Sequence, residues 1–446
     1  MLTPISRVRF PVFLGAFLVA CLLFPPRISA ETDSKTANAS LRVSLEVYGT
    51  VTAHDGQRLR LVTDLGNVVI HTENSSGKVD YHVHLEADAS EKNAKELLKS
   101  YALNTRETPE GVYFRGQTFG RQLRGRLWVT VEINVPKNYG LDVWTGGGNI
   151  ESEDANGRVV LATAGGNITA GNIGGAARLT TDGGHITVKN VGGELSANTG
   201  GGHITTGSVG GSASLHTTGG HIRVASVKGG ARLDTGGGNI TLEQSGGELV
   251  AETAGGQIEV GEAAGLVRAK TGGGGIRVVR VSGPTNLETG GGSIYLTQVD
   301  GMVKASTGAG GITAWFVTSP KRPGACDLQS ADGDIVVYLP KQLPVTIDAQ
   351  IMQGNEHRVI ADPAFPLKVS YDEAADGSRR IRAEGALNGG GQVLRLRTVA
   401  GNIQLILSDS SKQVEIYKKQ MEQLQQKLAT QLRMVEQSLP GSDDRP

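Results

Sequence analysis

Three histidines recur at an interval of 18 residues, and each stands directly before an isoleucine. They are His185, His203 and His221. In neighbouring copies of the motif the same position carries an amide side chain: Asn149, Asn167, Asn239 and Gln257. If successive copies stack as strands, the imidazoles lie about 4.8 Å apart and could hold zinc or copper, or form a pH-sensitive patch. The exchange with Asn favours a polar ladder at a turn, so no metal site is predicted.

Acidic side chains that could act as a general acid and a general base lie in outward columns of the same motif. They are Asp182, Asp234, Glu252 and Glu288. Asp234 and Glu252 hold equivalent positions in consecutive copies, and glycoside-cleaving sites need two carboxylates close together. The pattern is equally typical of a solvated face, so we predict that the chain is not an enzyme. His82 and His84 share one face of a strand with no third ligand in view, and no cofactor is predicted.

These residues belong to an 18-residue repeat that runs through ten copies without an insertion. The repeat isoleucines are Ile150, Ile168, Ile186, Ile204, Ile222, Ile240, Ile258, Ile276, Ile294 and Ile312. Five residues before each isoleucine stands a threonine: Thr145, Thr163, Thr181, Thr199, Thr217, Thr235, Thr253, Thr271, Thr289 and Thr307. A glycine always stands two residues before the isoleucine, and a second glycine column follows it. We predict structural roles for these columns.

Apolar and polar residues alternate on both sides of each Gly-Gly corner, which is the period of a half-buried strand. Each copy is therefore predicted to form two short strands, with glycine at the corners because it can adopt a positive φ. A constant period requires every copy to lie on the previous one in the same register. We predict an all-β fold, a parallel β-helix-like β-solenoid with 18-residue coils, irregular β ends and a C-terminal α-helix. The threonine hydroxyls should face inward and bond a neighbouring coil or the turn backbone.

The composition agrees with a thin, repetitive core. Of the 446 residues 64 are glycine and only 4 % are aromatic, without the Gly-every-third rule of collagen. Lys plus Arg and Asp plus Glu both number 44, so no excess of positive charge favours nucleic acid, and no nucleic-acid partner is predicted.

Three further kinds of site are not favoured. The aspartates of calcium-binding nonapeptide repeats are missing after the glycines. The outward threonines that follow the isoleucines are interrupted by charged residues and Tyr295, which argues against an ice-binding face. Trp144 and Trp315 bracket the repeats and could stack on carbohydrate, although packing at the ends of the array is the favoured interpretation.

Residues 1–30 have the pattern of an export signal. Arg7 and Arg9 precede an apolar run that ends at Phe24, and a small residue, Ala30, offers a cleavage site. The run is shorter than the roughly 20 residues needed to span a bilayer. An alternative is lipidation of Cys21, which follows Leu-Val-Ala. We predict an exported protein of the periplasm, outer membrane or cell surface.

The organisation predicted from these patterns has five parts. They are a signal peptide (1–30), an N-terminal β region with a short helix (31–140), ten regular coils (141–318), an irregular C-terminal β-solenoid region (319–408), and an amphipathic or coiled-coil helix with a tail (409–446). Apolar residues at heptad spacing mark residues 410–439. This helix either covers the open end of the solenoid or mediates self-association.

The repeated Thr-x-Gly-Gly-x-Ile motif, preceded by Val135-Pro136 and followed by Gly333-Asp334-Ile335, resembles the bacterial putative-adhesin family of β-strand-repeat proteins, formerly a domain of unknown function. Asn388-Gly389-Gly390-Gly391 matches the last segment of that family, and the resemblance covers roughly residues 45–408. It implies a cell-envelope location and a surface or adhesive role, and it carries no catalytic residues.

We therefore predict a non-enzymatic, exported cell-envelope protein that acts as an adhesin or as a structural binding surface. Its partner would be a surface ligand, either a glycan or a protein. Two alternatives stay open: a β-helix carbohydrate-active enzyme, and an envelope assembly or regulatory protein that acts through its C-terminal helix.

Overall fold

The computed structural model describes residues 28–31, 41–73, 77–120, 124–317, 324–373 and 377–408, together with helical positions 415, 419, 421–426, 429, 430 and 433. Cys21 and most of the predicted signal peptide lie outside these residues. No helix among them is long and apolar enough to cross a membrane.

The N-terminal region consists of long strands and one helix. Its strands are β1 (Ile28–Glu31), β2 (Leu41–Thr52), β3 (Arg58–Thr63), β4 (Asn67–Glu73), β5 (Lys78–Ala89), β6 (Tyr101–Thr108), β7 (Gly111–Thr118) and β8 (Arg126–Pro136). The helix α1 spans Glu91–Lys99 and buries Ala94, Leu97 and Leu98. The strand β1 pairs antiparallel with β2, so cleavage after Ala30 would remove all of β1 except Glu31.

The regular array follows as twenty short strands, two for each coil. They are β9 (Gly140–Thr145), β10 (Ile150–Ser152), β11 (Val159–Thr163), β12 (Ile168–Ile173), β13 (Ala177–Thr181), β14 (Ile186–Val191), β15 (Leu195–Thr199), β16 (Ile204–Val209), β17 (Ala213–Thr217), β18 (Ile222–Val227), β19 (Ala231–Thr235), β20 (Ile240–Ser245), β21 (Leu249–Thr253), β22 (Ile258–Ala263), β23 (Val267–Thr271), β24 (Ile276–Val281), β25 (Thr285–Thr289), β26 (Ile294–Val299), β27 (Val303–Thr307) and β28 (Ile312–Phe316).

The C-terminal region continues both stacks and then departs from them. Its strands are β29 (Cys326–Asp332), β30 (Ile335–Pro340), β31 (Val345–Ile351), β32 (Val359–Ala361), β33 (Leu367–Glu373), β34 (Arg379–Leu387), β35 (Gln392–Ala400) and β36 (Ile403–Ser408).

The strands form two long sheets that face each other across the core. We call sheet A the one whose strands begin at the repeat isoleucines, and sheet B the one whose strands end at the repeat threonines. In both, neighbouring array strands are parallel and offset by 18 residues, as when Ile204 pairs with Ile222 in sheet A and Thr199 with Thr217 in sheet B. The predicted β-solenoid is confirmed.

Strands outside the array complete both ends of the stack, and each end includes antiparallel pairs. At the N-terminal end sheet A continues through β4, β8, β5, β2 and β1, and sheet B continues through β3, β7 and β6. At the C-terminal end sheet A continues through β30, β36 and β32, and sheet B through β29, β35, β31, β34 and β33.

The core is a set of ladders of like residues. All ten repeat isoleucines are buried, and each lies beside the isoleucine of the next coil. Burying one such side chain contributes about 1.5–3 kcal/mol. A constant 18-residue period therefore yields a continuous apolar ladder with few aromatic residues.

Each regular-coil threonine from Thr163 to Thr307 joins two coils through its hydroxyl. In the fifth coil Thr217 Oγ1 donates to the Gly202 carbonyl oxygen of the preceding coil at 2.8 Å, and it accepts the Gly220 N–H at 3.2 Å. The same two bonds recur at Thr163, Thr181, Thr199, Thr235, Thr253, Thr271, Thr289 and Thr307. Both groups bonded by the hydroxyl are backbone groups of the corner, so the ladder fixes the turns as well as the strands.

The expectation that the corner glycines adopt a positive φ is wrong for the array. Among its described glycines only Gly148 lies in the left-handed region, with a φ of 121°. Close stacking of the coils is what excludes side chains: a Cβ added to Gly220 would lie 2.0 Å from the Gly202 oxygen. The glycine column one residue earlier has room for a side chain, because a Cβ on Gly219 would lie 3.8 Å from the nearest atom.

Part of the described C-terminal helix packs on the outer face of sheet A within the array. Leu424 lies against Gly261 of β22, where its Cδ2 would be 3.0 Å from an added Cβ. In the next coil Val279 holds the position equivalent to Gly261. It is only 2 % exposed although it is not part of the main core cluster. One coil earlier, burial raises the pKa of Glu243. The expected cover over the open end of the solenoid is therefore wrong for this part of the helix.

Candidate binding surface

The outer face of sheet B carries two rows of side chains in register, and one of them runs beside the corner threonines. Each member stands directly before the corner threonine, or before Ser330 in β29, and pairs in register with its equivalents in the neighbouring coils. We call this row the sheet B ladder: Trp144, Ala162, Thr180, Asn198, His216, Asp234, Glu252, Lys270, Glu288, Ser306 and Gln329. Parallel strands place successive members about 4.8 Å apart.

The two catalytic candidates lie side by side in this ladder. Asp234 pairs in register with Glu252, as their positions in consecutive repeats predict. On the far side of Asp234, its Oδ2 is 3.3 Å from Nδ1 of His216. On the far side of Glu252 stands Lys270, whose Nζ is 3.8 Å from Oε2 of Glu288. The carboxylates are thus two adjacent members of a row of mixed charge on the outer face of sheet B.

The depression on this face lies further along the ladder than the two candidates. It is shallow and open to solvent, and its lining includes Lys270, Glu288, Lys304, Ser306 and Gln329. Ammonium, carboxylate, hydroxyl and amide groups therefore converge there, which suits hydrogen bonds and ion pairs with a polar polymer laid along the row.

The histidine column forms part of the corner backbone network. The ring centroids of His185 and His203 are 4.9 Å apart and those of His203 and His221 are 4.8 Å apart, with the rings stacked. Each Nδ1 accepts the backbone N–H one coil on, so that His203 N is 2.8 Å from His185 Nδ1 and Asn239 N is 2.8 Å from His221 Nδ1.

Amide oxygens make the same bond elsewhere in the column. The Oδ1 of Asn167 accepts the N–H of His185, and that of Asn239 accepts the N–H of Gln257. Asn and His are interchangeable here because each presents an acceptor at the same distance from the backbone. Since Nδ1 is an acceptor, the proton of the neutral ring lies on Nε2.

Protonation of the histidine rings at low pH opposes these hydrogen bonds. Burial, followed by the neighbouring charges of His185, His221 and Arg223, lowers the pKa of His203. Burial and then Arg223 lower the pKa of His221. Protonation would place a hydrogen on the Nδ1 atom that accepts the next backbone N–H, so the neutral column is the form that fits the coil stack.

No group of three or more His, Cys, Asp or Glu side chains in the described part of the chain could hold a metal ion. His82 and His84 are nevertheless part of a polar cluster. Glu46 Oε2 is 2.5 Å from His82 Nε2 and its Oε1 is 2.5 Å from His84 Nδ1, while Glu132 Oε2 is 3.2 Å from His82 Nδ1. Tyr48 stacks on His82 with the ring centroids 4.3 Å apart.

This cluster is an ion-pair network across three strands. Burial alone would lower the pKa of His82, but hydrogen bonds to Glu46 and Glu132 raise it. Burial likewise opposes the ionised form of Glu46, yet hydrogen bonds from His82 and His84 lower its pKa. Sequence reasoning missed the carboxylates because they lie on β2 and β8, far from β5 along the chain; only the pairing of these strands brings them together.

The two tryptophans lie on different faces of the solenoid. Trp144 begins the sheet B ladder and is 42 % exposed. Trp315 lies in sheet A and stacks on Tyr338, with the ring centroids 4.6 Å apart and the planes inclined by 5°. Of these two, Trp144 is the aromatic residue that stands beside the polar row.

The chain is similar to a known protein family and to several solved structures. The model of the family described as Toastrack DUF4097 matches residues 57–406. A putative cell adhesion protein from Clostridium sporogenes is 10 % identical over 81 % of this chain and 99 % of its own, with a TM-score of 0.17. A putative adhesin from Parabacteroides distasonis is 11 % identical over 66 % and 96 %, with a TM-score of 0.24.

No curated protein sequence matches the chain. The family match extends from β3 to β36 and includes all ten coils. The chain belongs to the Toastrack DUF4097 family.

Proposed function

We propose that the chain is an exported, non-enzymatic protein of the bacterial cell envelope, and that the outer face of sheet B is its adhesive or structural binding surface. The observation that carries this proposal is the sheet B ladder. Its side chains are held in register on one face by parallel backbone pairing over the whole array. A regular row of hydroxyl, amide and charged groups suits an extended polymer with repeating polar groups, such as a surface glycan or an extended protein segment.

Differences between the two outer faces support the choice of sheet B. Residues of the C-terminal helix lie on sheet A, where Leu424 contacts Gly261. On sheet B the members of the ladder from Asn198 to Lys270 are half-buried or exposed. Trp144, at one end of the row, adds an exposed aromatic surface on which a sugar ring could stack.

Export is proposed from the sequence of residues 1–30. A basic start, a short apolar run and a small residue at position 30 are the features that signal peptidase recognises. With the only other cysteine, Cys21, removed by cleavage, the mature chain would keep Cys326 alone, so stability would depend on packing and backbone pairing and not on a disulfide.

A glycan array combined with binding to whole bacterial cells tests the proposal. The purified chain is expected to bind a surface polymer, and Asp234→Ala with Lys270→Ala should weaken binding at least ten-fold. The matched control is Thr169→Ala with Thr187→Ala on the outer face of sheet A, which should leave binding within two-fold. Equal losses for both variants would contradict the assignment to sheet B, and an absence of binding to all probes would contradict an adhesive role.

The same preparation tests the enzymatic alternative. Polysaccharide turnover that disappears in Asp234→Asn, where the charge is removed and the shape kept, would overturn the non-enzymatic proposal. The assembly alternative is tested by comparing proteins captured by the full chain with those captured after removal of residues 409–446. A partner that requires this segment and is unaffected by the sheet B variants would favour that alternative.

A further inference from the structure

The C-terminal end of sheet B finishes in a strand with one free edge. Among the described strands β33 pairs only with β34, as the outer strand of an antiparallel hairpin. Of its seven residues six are exposed and Leu367 is half-buried. A strand edge of this kind presents unpaired N–H and C=O groups and is a template for another strand.

Sheet B extends beyond sheet A at this end. Past the last array coil sheet A adds β30, β36 and β32, while sheet B adds β29, β35, β31, β34 and β33. Sheet B therefore has two more strands than sheet A at this end.

Along the core-facing row, exposure to solvent increases from β34 to β33. On β34 Ile381 and Ala383 are buried. Directly opposite them on β33, Tyr371 is 56 % exposed and Val369 is 41 % exposed. The row also includes Leu367, and the guanidinium of Arg379 lies over the Tyr371 ring, 3.9 Å from its centroid, so an apolar face reaches the free edge.

We propose that β33 of one chain pairs antiparallel with β33 of a second copy, with the two-fold axis at Ser370. In this register Val369 of each chain lies opposite Tyr371 of the other, and Lys368 lies opposite Asp372. The central five residues, Lys-Val-Ser-Tyr-Asp, are therefore complementary to themselves when they are read in opposite directions. The contact joins the two B sheets into one sheet and continues the apolar row across the joint.

The charges of Lys368 and Asp372 select the register of the proposed β33 pair. A lysine on an edge strand normally discourages pairing with another chain, because its charge would be placed against an unmatched strand. About Ser370, each Lys368 meets an Asp372, and opposite charges across an antiparallel pair stabilise it. A shift by two residues towards the start of the strand places Lys368 opposite Ser370 and Asp372 opposite Pro366, so both ion pairs are lost.

The segment expected to cover the end is elsewhere. Leu424 of the C-terminal helix contacts Gly261 in β22, and five strands of sheet A lie between β22 and the last one, β32. A second copy is the occupant that the charge pattern of β33 selects, since both partners then carry the matching sequence.

Disulfide trapping tests the register in the full chain with Cys21→Ser. Cys326 is buried, and burial raises the pKa of its thiol to about 11, so it should not react. Ser370→Cys is expected to give a disulfide-linked dimer on mild oxidation, because directly opposite residues lie about 4.5–5.5 Å apart. Asp372→Cys alone should not cross-link, since the two thiols would lie four residue pairs apart, whereas a mixture of Lys368→Cys and Asp372→Cys chains should.

Charge reversal measured by analytical ultracentrifugation gives an independent readout. Lys368→Asp or Asp372→Lys alone should raise the dimer dissociation constant at least ten-fold, and the double swap should return it to within three-fold of the parent. Within the hairpin Lys368 lies opposite Glu384 and Asp372 opposite Arg380, so the double swap makes both intrachain pairs unfavourable. If the double swap restores dimerisation, a more stable hairpin cannot be the cause.

Two results would overturn the proposal. One is a chain that stays monomeric at all concentrations and gives no dimer with Ser370→Cys. The other is a dimer that forms equally well in the single charge reversals, because it would use a different surface.

Discussion

Replacing Gly220 with alanine should damage the coil stack, whereas replacing its neighbour Gly219 should not. The added Cβ at Gly220 would lie 2.0 Å from the Gly202 oxygen and 2.4 Å from its carbonyl carbon. The Cβ at Gly219 would lie 3.8 Å from the Gly201 oxygen, an ordinary contact, and the last coil already has Ala309 in that column. Neither glycine has a φ in the left-handed region, so the pair isolates the effect of contact between coils.

The loss of stability expected for Gly220→Ala follows from the hydrogen bonds at the corner. Relieving the contact requires the two coils to separate by more than about 1 Å, beyond which an N–H···O bond of ordinary length is lost. Three bonds span this gap: Thr217 Oγ1 to the Gly202 oxygen at 2.8 Å, Ile204 N to the His221 oxygen at 2.9 Å, and His221 N to His203 Nδ1 at 2.9 Å. At about 1–1.5 kcal/mol each, their loss costs about 3–5 kcal/mol. Gly219→Ala should change stability by less than about 1 kcal/mol and in the stabilising direction.

Hydrogen exchange read out by coil is the suitable assay, because a repeat array can open locally without unfolding as a whole. Gly220→Ala should accelerate exchange of the amides of β16 and β18, and leave the coils near β26 unchanged. Gly219→Ala should match the parent chain throughout. Equal protection in the two variants would refute the argument that stacking contact, rather than backbone conformation, requires glycine in this column.

Three further predictions concern single side chains. Thr217→Val removes a donor and an acceptor from buried backbone groups and should lower the free energy of unfolding by about 2–4 kcal/mol in urea titration, whereas Thr217→Ser should cost less than half as much; equal costs would mean that the hydroxyl is unimportant. Because the pKa of His203 is lowered on folding, the folded chain binds fewer protons than the unfolded one, so stability should fall as the pH drops below the usual histidine value of about 6.5. Melting temperatures of the parent and of His203→Asn should diverge only below that pH, and parallel curves would contradict the assignment. Cys326, with a pKa raised to about 11 by burial, should resist maleimide at pH 7.5 until the chain unfolds, and rapid labelling of the folded chain would contradict its burial.

The repetitive part of the fold could be predicted from the sequence because its information is local. Alternation around each Gly-Gly corner specifies the strands, and an unbroken period of 18 residues specifies the register that pairs Ile204 with Ile222. The polar ladder at the turn, in which His185 and Asn167 hold equivalent positions, was also predicted from their exchange within one column. In the array, residues that are 18 positions apart in the sequence lie side by side in space, so the sequence alone specifies these contacts.

The remaining features depend on contacts that no local pattern contains. Why the column of Gly220 must be glycine became clear only from the distance between stacked carbonyl groups. The partners of His82 lie on strands 36 and 50 residues away and are brought together by antiparallel pairing outside the repeat. The heptad pattern of residues 410–439 predicted a helix with one apolar face, but an apolar face does not specify which surface it covers.

Polymer attachment provides the most direct test of the proposal that sheet B is the binding surface. In the full chain with Cys21→Ser, Asn198→Cys places a thiol on the outer face of sheet B, and Ser208→Cys places one on sheet A in the adjoining part of the same array. Each thiol is coupled to a 5-kDa polyethylene glycol maleimide, a size chosen to cover roughly one face of the solenoid, and binding to whole bacterial cells is measured. Modification at Asn198→Cys is predicted to reduce binding at least ten-fold while modification at Ser208→Cys leaves it within two-fold; the reverse pattern would contradict the account.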